Sequence, residues 1–146
     1  MAIGPVVWSL KALLLKKGEN IAIIDDKLEL VNFPQTQGSF KVVQLEVRGR
    51  PVAVFGQKNA VHAKILEAYL TQQGLTFPQI PIPKYPSLHM PAVEGPDYKV
   101  VGMGEIDVDP TTKFFQLPYG SSFGYELGVD KRFNRKLKEH LKGWNF

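Results

Sequence analysis

The chain has 146 residues and a net charge of +4, and 44% of its residues are hydrophobic and 22% charged. This composition is typical of a globular domain with a hydrophobic core, and it excludes a disordered chain of low hydrophobicity and high charge. Because the sequence contains no cysteine, disulfides, thiolate nucleophiles and thiolate-bound metal centres are also excluded.

An apolar run covers residues 3–15. Lys11 interrupts it, no basic region precedes it and no cleavage pattern of small residues follows it, so we expect neither a signal peptide nor a membrane span, which needs about 20 apolar residues. Pro5 and Gly18 are typical of the start and the end of a helix. We therefore predict a core helix over residues 6–17, in a cytoplasmic protein without integral membrane association.

Three pairs of short β-prone runs, each with a polar turn between its members, predict hairpins. The pairs are residues 21–24 and 28–31, residues 40–47 and 51–55, and residues 100–108 and 113–117. Alternation of apolar and polar residues is clearest in the second pair, where Arg48-Gly49-Arg50 forms the turn. In the third pair, Asp109 followed by Pro110 is the expected start of a type I turn.

A central helix is predicted from Asn59, as its N-cap, to Leu70, and Gly74 follows its end. Six prolines then lie in residues 78–97, a density that excludes a helix and any central strand. We expect this segment to run extended over the surface. Residues 78–86 also fit a polyproline II ligand for an aromatic groove, but packing on the protein's own sheet is the more usual outcome for such a segment.

The net charge comes entirely from residues 130–146, since residues 1–129 hold twelve acidic and twelve basic side chains. This segment predicts a basic helix over residues 130–143 that starts at Asp130, whose carboxylate can accept hydrogen bonds from the first free amides. Apolar residues recur on one face at about four-residue spacing: Phe133, Leu137, Leu141 and Trp144. Six basic side chains occupy the rest of the helix: Lys131, Arg132, Arg135, Lys136, Lys138 and Lys142.

Such a helix can pack its apolar stripe on the core and leave a basic face that is simply solvated. The same face can contact the phosphates of a nucleic acid or, less strongly, an anionic membrane surface. We take the six basic side chains and Trp144 as the predicted nucleic-acid-binding residues, with Phe146 as a second candidate for base stacking.

Residues 120–124 fit the form G-x-S-x-G, which places a serine on a strained strand-to-helix turn in one class of hydrolases. The chain is much shorter than that fold requires. The triad partners downstream would have to be Glu126 or Asp130 with His140, which lie close by on or near the basic helix. We interpret the segment as an aromatic and glycine-rich loop and predict no catalytic residue in it.

Two other groups of side chains contain types that bind metal ions. They are three histidines and three alternating carboxylates: His62, His89 and His140, and Glu105, Asp107 and Asp109. The histidines lie in separate predicted elements without ligand-like spacing, and the carboxylates are interpreted as the solvated face of one strand. We therefore predict no metal ligand and no cofactor.

Asp25 or Asp26 in a turn, followed by Glu46-Val47-Arg48 in a strand, resembles the PD-(D/E)xK motif of metal-dependent nucleases. In that family an aspartate and a glutamate hold magnesium, and a lysine two residues after the glutamate helps to polarise the attacking water. Here Arg48 occupies the lysine position and stays protonated, and the strand returns as a hairpin instead of crossing over through a helix. The resemblance implies a divalent-metal phosphodiesterase that uses Asp26, Glu46 and Asp25.

The sequence as a whole predicts a single α+β domain over residues 1–146: an antiparallel sheet of five to six strands built from hairpins, with N-terminal, central and C-terminal helices packed against it. The predicted function is non-enzymatic binding of an anionic macromolecule, with nucleic acid as the preferred partner, through the C-terminal helix. The alternatives are the phosphodiesterase and an assembly protein whose tail contacts an acidic patch on a partner or on another copy in a homo-oligomer.

Overall fold

The computed structural model describes residues 27–146, which form a five-stranded sheet, two small two-stranded sheets and two helices. In chain order the elements are β1 (Glu29–Val31), β2 (Gly38–Val47), β3 (Arg50–Gln57), α1 (His62–Gln72), β4 (Gln79–Ile82), β5 (Tyr85–Pro91), β6 (Tyr98–Asp109), β7 (Phe114–Tyr119), β8 (Ser121–Ser122), β9 (Leu127–Gly128) and α2 (Arg132–His140). The α+β class is as predicted. The helix predicted over residues 6–17 and the strand predicted over residues 21–24 lie outside the described residues.

The central sheet is mixed and has the strand order β1-β3-β2-β6-β7. Strands β2, β3, β6 and β7 pair antiparallel, but β1 runs parallel to β3, with Glu29 opposite Val52. The prediction of a wholly antiparallel sheet is therefore wrong at β1. The parallel pairing of β1 results from the arrangement of the other strands. Strand β2 already occupies one side of β3. Residues 32–37 carry the chain past the end of β3, so β1 pairs with the other side of β3 and runs in the same direction.

The two hairpins of the central sheet form where turn chemistry predicts them. Between β2 and β3, Arg48 and Gly49 have φ angles of 51° and 81°. Two successive left-handed residues make the type I′ turn that matches the twist of an antiparallel pair. Between β6 and β7, one carboxylate oxygen of Asp109 accepts the backbone N–H of Thr111 at 3.0 Å and so closes the predicted turn.

Helix α1 begins at His62 and has Val61 at its N-cap position without a side-chain capping hydrogen bond. The predicted N-cap at Asn59 is therefore wrong, because that residue lies in a turn before the helix. Gly74 follows the helix with a φ of 69°, as expected of a C-terminal glycine. In the proline-rich segment over residues 78–97, β4 and β5 pair only with each other and form a hairpin apart from the central sheet.

Successive residues of β2 and β3 point to opposite faces of the sheet, so the sheet has a hydrophobic core on each side. One core contains Ile65, Leu66, Tyr69 and Leu70 of α1. The other contains Phe133, Leu137 and Leu141 of the C-terminal segment. This three-layer arrangement leaves the outer side of α2 facing solvent, and that side carries the chain's excess charge.

Candidate nucleic-acid interface on the C-terminal helix

The apolar side of α2 is packed into the core. Phe133 and Leu137 are each 3% exposed, and Leu141, in the turn that follows the helix, is 8% exposed. They lie against Val42, Phe55 and other residues on that face of the sheet. Because three side chains spaced about four residues apart are buried, the rotation of the helix about its axis is fixed.

The start of α2 is held by a buried glutamine of the sheet. Gln44 is 1% exposed, and its Oε1 atom accepts the backbone N–H of Asp130 at 2.7 Å. Gly102, on the neighbouring strand β6, leaves room for this contact: a Cβ atom there would lie 2.6 Å from the Asp130 nitrogen and would also clash with Oε1 of Gln44. A buried polar side chain of β2 thus positions the basic helix.

The helix predicted over residues 130–143 is shorter in the structure: α2 begins at Arg132, has Lys131 at its N-cap position without a side-chain capping bond, and ends at His140. The prediction that it starts at Asp130 is therefore wrong, but the Asp130 carboxylate does accept the backbone N–H of Arg132 at 2.9 Å. It also accepts three side-chain hydrogen bonds from Arg132, two from Nε at 3.1 Å and one from Nη2 at 2.6 Å. The hydrogen bonds from the Arg132 guanidinium are the main reason why the pKa of Asp130 is lowered, and Arg132 is partly neutralised by this carboxylate.

The end of the helical segment is held by contacts to backbone groups of β7 and of the residues just before β1 and β7. Nδ1 of His140 lies 2.9 Å from the carbonyl oxygen of Leu28, just before β1. Beyond the helix, the N–H of Asn145 donates to the carbonyl of Lys113 at 2.8 Å, and the carbonyl of Asn145 accepts the N–H of Phe115 at 2.9 Å. The C-terminal residues are thus attached to the outer edge of β7.

We call the six predicted cationic side chains of this segment the basic face: Lys131, Arg132, Arg135, Lys136, Lys138 and Lys142. All are exposed except Lys136, which is half-buried and already has an interaction partner. Within residues 27–146, Lys131, Arg135, Lys138 and Lys142 make no ion pair with a carboxylate. Among the described residues, four of the six cations therefore have no carboxylate partner.

The two aromatic residues predicted to stack on bases have different surroundings. Trp144 is half-buried, and its ring centroid lies 5.7 Å from that of Phe33 and 6.3 Å from that of Phe115. Phe146 is 60% exposed, and Nζ of Lys138 lies 4.4 Å from its ring centroid. Phe146 thus presents the more accessible ring, while Trp144 fastens the segment to the core.

Lys113 is a basic residue next to this surface that the sequence interpretation did not include. It is exposed, and its backbone carbonyl is the acceptor for Asn145. No local sequence signal connects the turn before β7 with the C-terminal residues, because their pairing is a tertiary contact. The structure therefore extends the basic surface from α2 to the turn between β6 and β7.

The residues of the nuclease resemblance are only partly described. Glu46 lies in β2, and Arg48 lies in the tight turn after it. Asp25 and Asp26 fall outside residues 27–146. In the described part of the chain, no three His, Asp or Glu side chains are grouped so that they could hold a metal ion.

The alternating carboxylates of β6 have separate roles. Asp107 accepts hydrogen bonds from the hydroxyls of Ser39 at 2.6 Å and Tyr119 at 3.0 Å. Burial, followed by this contact with Asp107, raises the pKa of Tyr119. Asp109 closes its turn, and Glu105 is half-buried in the strand. Hydrogen bonds in the sheet and in the turn between β6 and β7 thus give Asp107 and Asp109 structural roles.

The described helices are α1 and α2, and neither is long and apolar enough to cross a bilayer.

The position of the basic face is set by the contacts at its two ends and by the apolar stripe packed beneath it. No protein-family model matches this chain, and no curated protein aligns with it significantly.

Proposed function

We propose that the protein binds nucleic acid through the basic face of α2, without enzymatic activity and without reading base sequence. The observation that carries this proposal is the division of residues 131–142, which comprise α2 and its flanking residues, into two sides. The apolar stripe is buried, and four cations on the remainder have no carboxylate partner in the described structure. A cation without an internal partner gains more from a phosphate than one that must first break an ion pair.

The spacing of the basic face suits a nucleic-acid backbone. Lys131 and Lys142 flank α2 and are separated by eleven residues, which is about 16 Å if the rise of an α-helix is applied to the whole segment. Each strand of a duplex carries one phosphate per 3.4 Å or so of the duplex axis, so this length spans about four or five base pairs. The basic face is thus long enough for its four accessible cations to contact separate phosphates.

The proposal predicts a defined salt dependence. Each phosphate neutralised on duplex DNA contributes about −0.9 to the slope of log K against log salt concentration. Four contacts would therefore give a slope of about −3.6. Binding should be similar for DNA duplexes of unrelated sequence, because contacts to phosphates carry no base information.

Point variants are the appropriate test, because deletion of the helix would remove part of the core. Burial of a Phe or Leu side chain is worth about 1.5–3 kcal/mol, so loss of three such side chains costs on the order of 5–8 kcal/mol. That is comparable with the whole stability of a typical domain, which is about 5–15 kcal/mol. A chain ending at Val129 would not separate loss of binding from loss of folding.

The triple variant Lys131→Gln, Arg135→Gln and Lys142→Gln should make the slope shallower, from about −3.6 to about −0.9, and lower the affinity for a 20-base-pair duplex roughly 100-fold at about 0.1 M salt. Fluorescence anisotropy at several salt concentrations measures both quantities. The matched control replaces three exposed lysines outside α2, with the same change in net charge: Lys58, Lys64 and Lys84.

Equal losses in the two triple variants would mean that net charge, and not the basic face, governs binding, and the proposal would be wrong. Mass measurement by light scattering on the same samples addresses the assembly alternative. An oligomer that dissociates in the α2 variant without any affinity for nucleic acid would favour that alternative. Magnesium-dependent cleavage that Glu46→Ala abolishes would favour the phosphodiesterase.

A further inference from the structure

A cavity of about 510 Å³ lies on a different part of the molecule from the basic face. Its walls come from the first turn of α1, the turn between β4 and β5, and residues 121–126. No residue of α2 lines it. Its size is within the range of about 300–1,000 Å³ that is typical of sites for small molecules.

Two buried polar side chains line the cavity. His62 is 5% exposed and Ser122 is 4% exposed. Nε2 of His62 lies 2.9 Å from the carbonyl oxygen of Gly104, so Nε2 carries the ring proton and Nδ1 is left as an acceptor. Burial lowers the pKa of His62 and keeps the ring neutral at pH 7. The oxygen of Ser122 accepts the N–H of Tyr125 at 3.3 Å, which leaves its hydroxyl proton available to donate.

Around these groups the cavity is apolar. Val61, Tyr85 and Phe123 line it although they are 58%, 61% and 75% exposed, and Ile82 and Met90 also contribute. Exposed apolar groups scattered singly over a surface need no explanation, but several around one concave site are typical of a binding site. A ligand with an apolar body would remove their surface from water.

The charge at the cavity is positive on balance. Lys41 and Lys84 line it, and Glu126 is the one acidic residue among its lining residues. Nζ of Lys84 lies 4.5 Å from the ring centroid of Phe123, and Nζ of Lys41 donates to the carbonyl of Lys58 at 2.5 Å. Neither ammonium makes an ion pair with a carboxylate in the described structure. An anionic head group would therefore meet unpaired positive charge at the edge of an apolar space.

Ser122 is the central serine of the G-x-S-x-G segment, but its surroundings favour binding over acyl transfer. A nucleophilic serine needs a base within hydrogen-bond reach. Within residues 27–146, no hydrogen bond joins Ser122 to His62, and the His62 proton is directed to Gly104. The two side chains are thus polar contacts at the wall and not a catalytic pair.

We propose that this cavity binds a small amphipathic anion, namely a carboxylate on a medium-length aliphatic body. The aliphatic body packs against Phe123, Tyr85 and Met90. The carboxylate interacts with the ammonium groups of Lys41 and Lys84 and accepts the proton of the Ser122 hydroxyl. This site is independent of the proposed nucleic-acid interface.

Decanoate and decanol test the proposal, because they share an apolar body and differ in charge. Each compound is titrated into protein that holds the fluorescent anion 8-anilinonaphthalene-1-sulfonate, and displacement of the dye reports occupancy of the cavity. We expect decanoate to bind about tenfold or more tightly than decanol. Lys84→Gln should weaken decanoate binding about tenfold and leave decanol binding unchanged. Lys142→Gln, the same change in the basic face, should affect neither.

Val61→Trp places a large ring at the cavity and should abolish displacement by both compounds. Leu88→Ser, which removes an equally exposed apolar side chain outside the cavity, should change nothing. Since Val61, Lys84 and Leu88 are all exposed, the variants should melt within a few degrees of the parent by circular dichroism. Equal binding of the two compounds, or dye binding that survives Val61→Trp in a folded protein, would overturn the proposal.

Discussion

Replacing Gln44 by Met tests whether one buried acceptor holds the basic helix in place. Methionine has a similar length and no strong acceptor, so the N–H of Asp130 would lose its partner at 2.7 Å. Gln44 is 1% exposed and Asp130 is half-buried, so water cannot replace the bond without local opening. A buried donor left without an acceptor costs about 1–3 kcal/mol. At about 3–4 °C per kcal/mol for a chain of this size, the melting temperature should fall by roughly 3–12 °C.

Urea unfolding followed by circular dichroism measures this loss as a lower midpoint at an unchanged slope. Gln116→Met is the matched control, because that glutamine is exposed on β7, and its stability should stay within about 0.5 kcal/mol of the parent. The Gln44 variant should also bind nucleic acid less tightly, since Asp130 begins the segment that carries the basic face. A Gln44→Met protein as stable as the Gln116→Met control would refute the role given to this contact.

Two further changes follow from local geometry. Arg48→Asn should stabilise the protein by about 0.5 kcal/mol, because Asn tolerates the left-handed φ of 51° better than Arg and forms the preferred type I′ pair with Gly49. The substitution removes an exposed 3.5 Å ion pair with Asp97, which contributes little to stability. A lower urea midpoint would contradict this reasoning. For His62, burial lowers the pKa of the folded state below the unfolded value of about 6.5. The unfolded chain therefore binds more protons than the folded protein between these two pKa values. The contribution of His62 to stability is complete above about pH 6.5 and is lost as the pH falls from there towards the folded pKa. Urea midpoints between pH 5 and 8 should show this loss in the parent and a smaller one in His62→Gln; equal pH profiles would exclude His62 as its source.

Local chemistry was sufficient to predict several features of the fold. Three such features each depend on residues within three positions of one another: the turn at Arg48-Gly49, the turn opened by Asp109, and the hydrogen bond from the Arg132 N–H to the Asp130 carboxylate. The apolar stripe of the C-terminal helix was also predictable, because its four-residue spacing requires one buried face. In each case the physical cause lies within a single element or turn.

The features that sequence reasoning missed depend on contacts between distant residues. Asn59 has the right side chain for an N-cap, but the chain turns before α1 and the helix begins at His62. The parallel pairing of β1 follows from which side of β3 remains free, and no residue in β1 encodes that choice. Gln44 is one of several polar residues in a strand of alternating pattern, so nothing in the local sequence marks it as buried, and its partner, Asp130, is 86 positions away.

The same holds for the candidate site. The basic face could be identified from charge alone. That Lys131, Arg135, Lys138 and Lys142 have no carboxylate partner among residues 27–146 could not, since that depends on how distant parts of the chain fold together. Lys113 joins the surface only because Asn145 pairs with the strand that follows it. The cavity combines residues from α1, the β4–β5 turn and residues 121–126, and its two buried polar side chains, His62 and Ser122, are 60 positions apart.

The pairing of Asn145 with β7 also bears on the exposed edge of the sheet, where a second copy of the chain could pair. An outermost strand with unused N–H and C=O groups is a template on which a second chain can add, and this is a common route to aggregation. Asn145 occupies the outward groups of Lys113 and Phe115, and Pro118 has no N–H to offer further along the same strand. At the opposite border, β1 is only three residues long. Within residues 27–146, both borders of the sheet thus offer few free backbone groups in a row, so each is a poor template for the addition of a second chain.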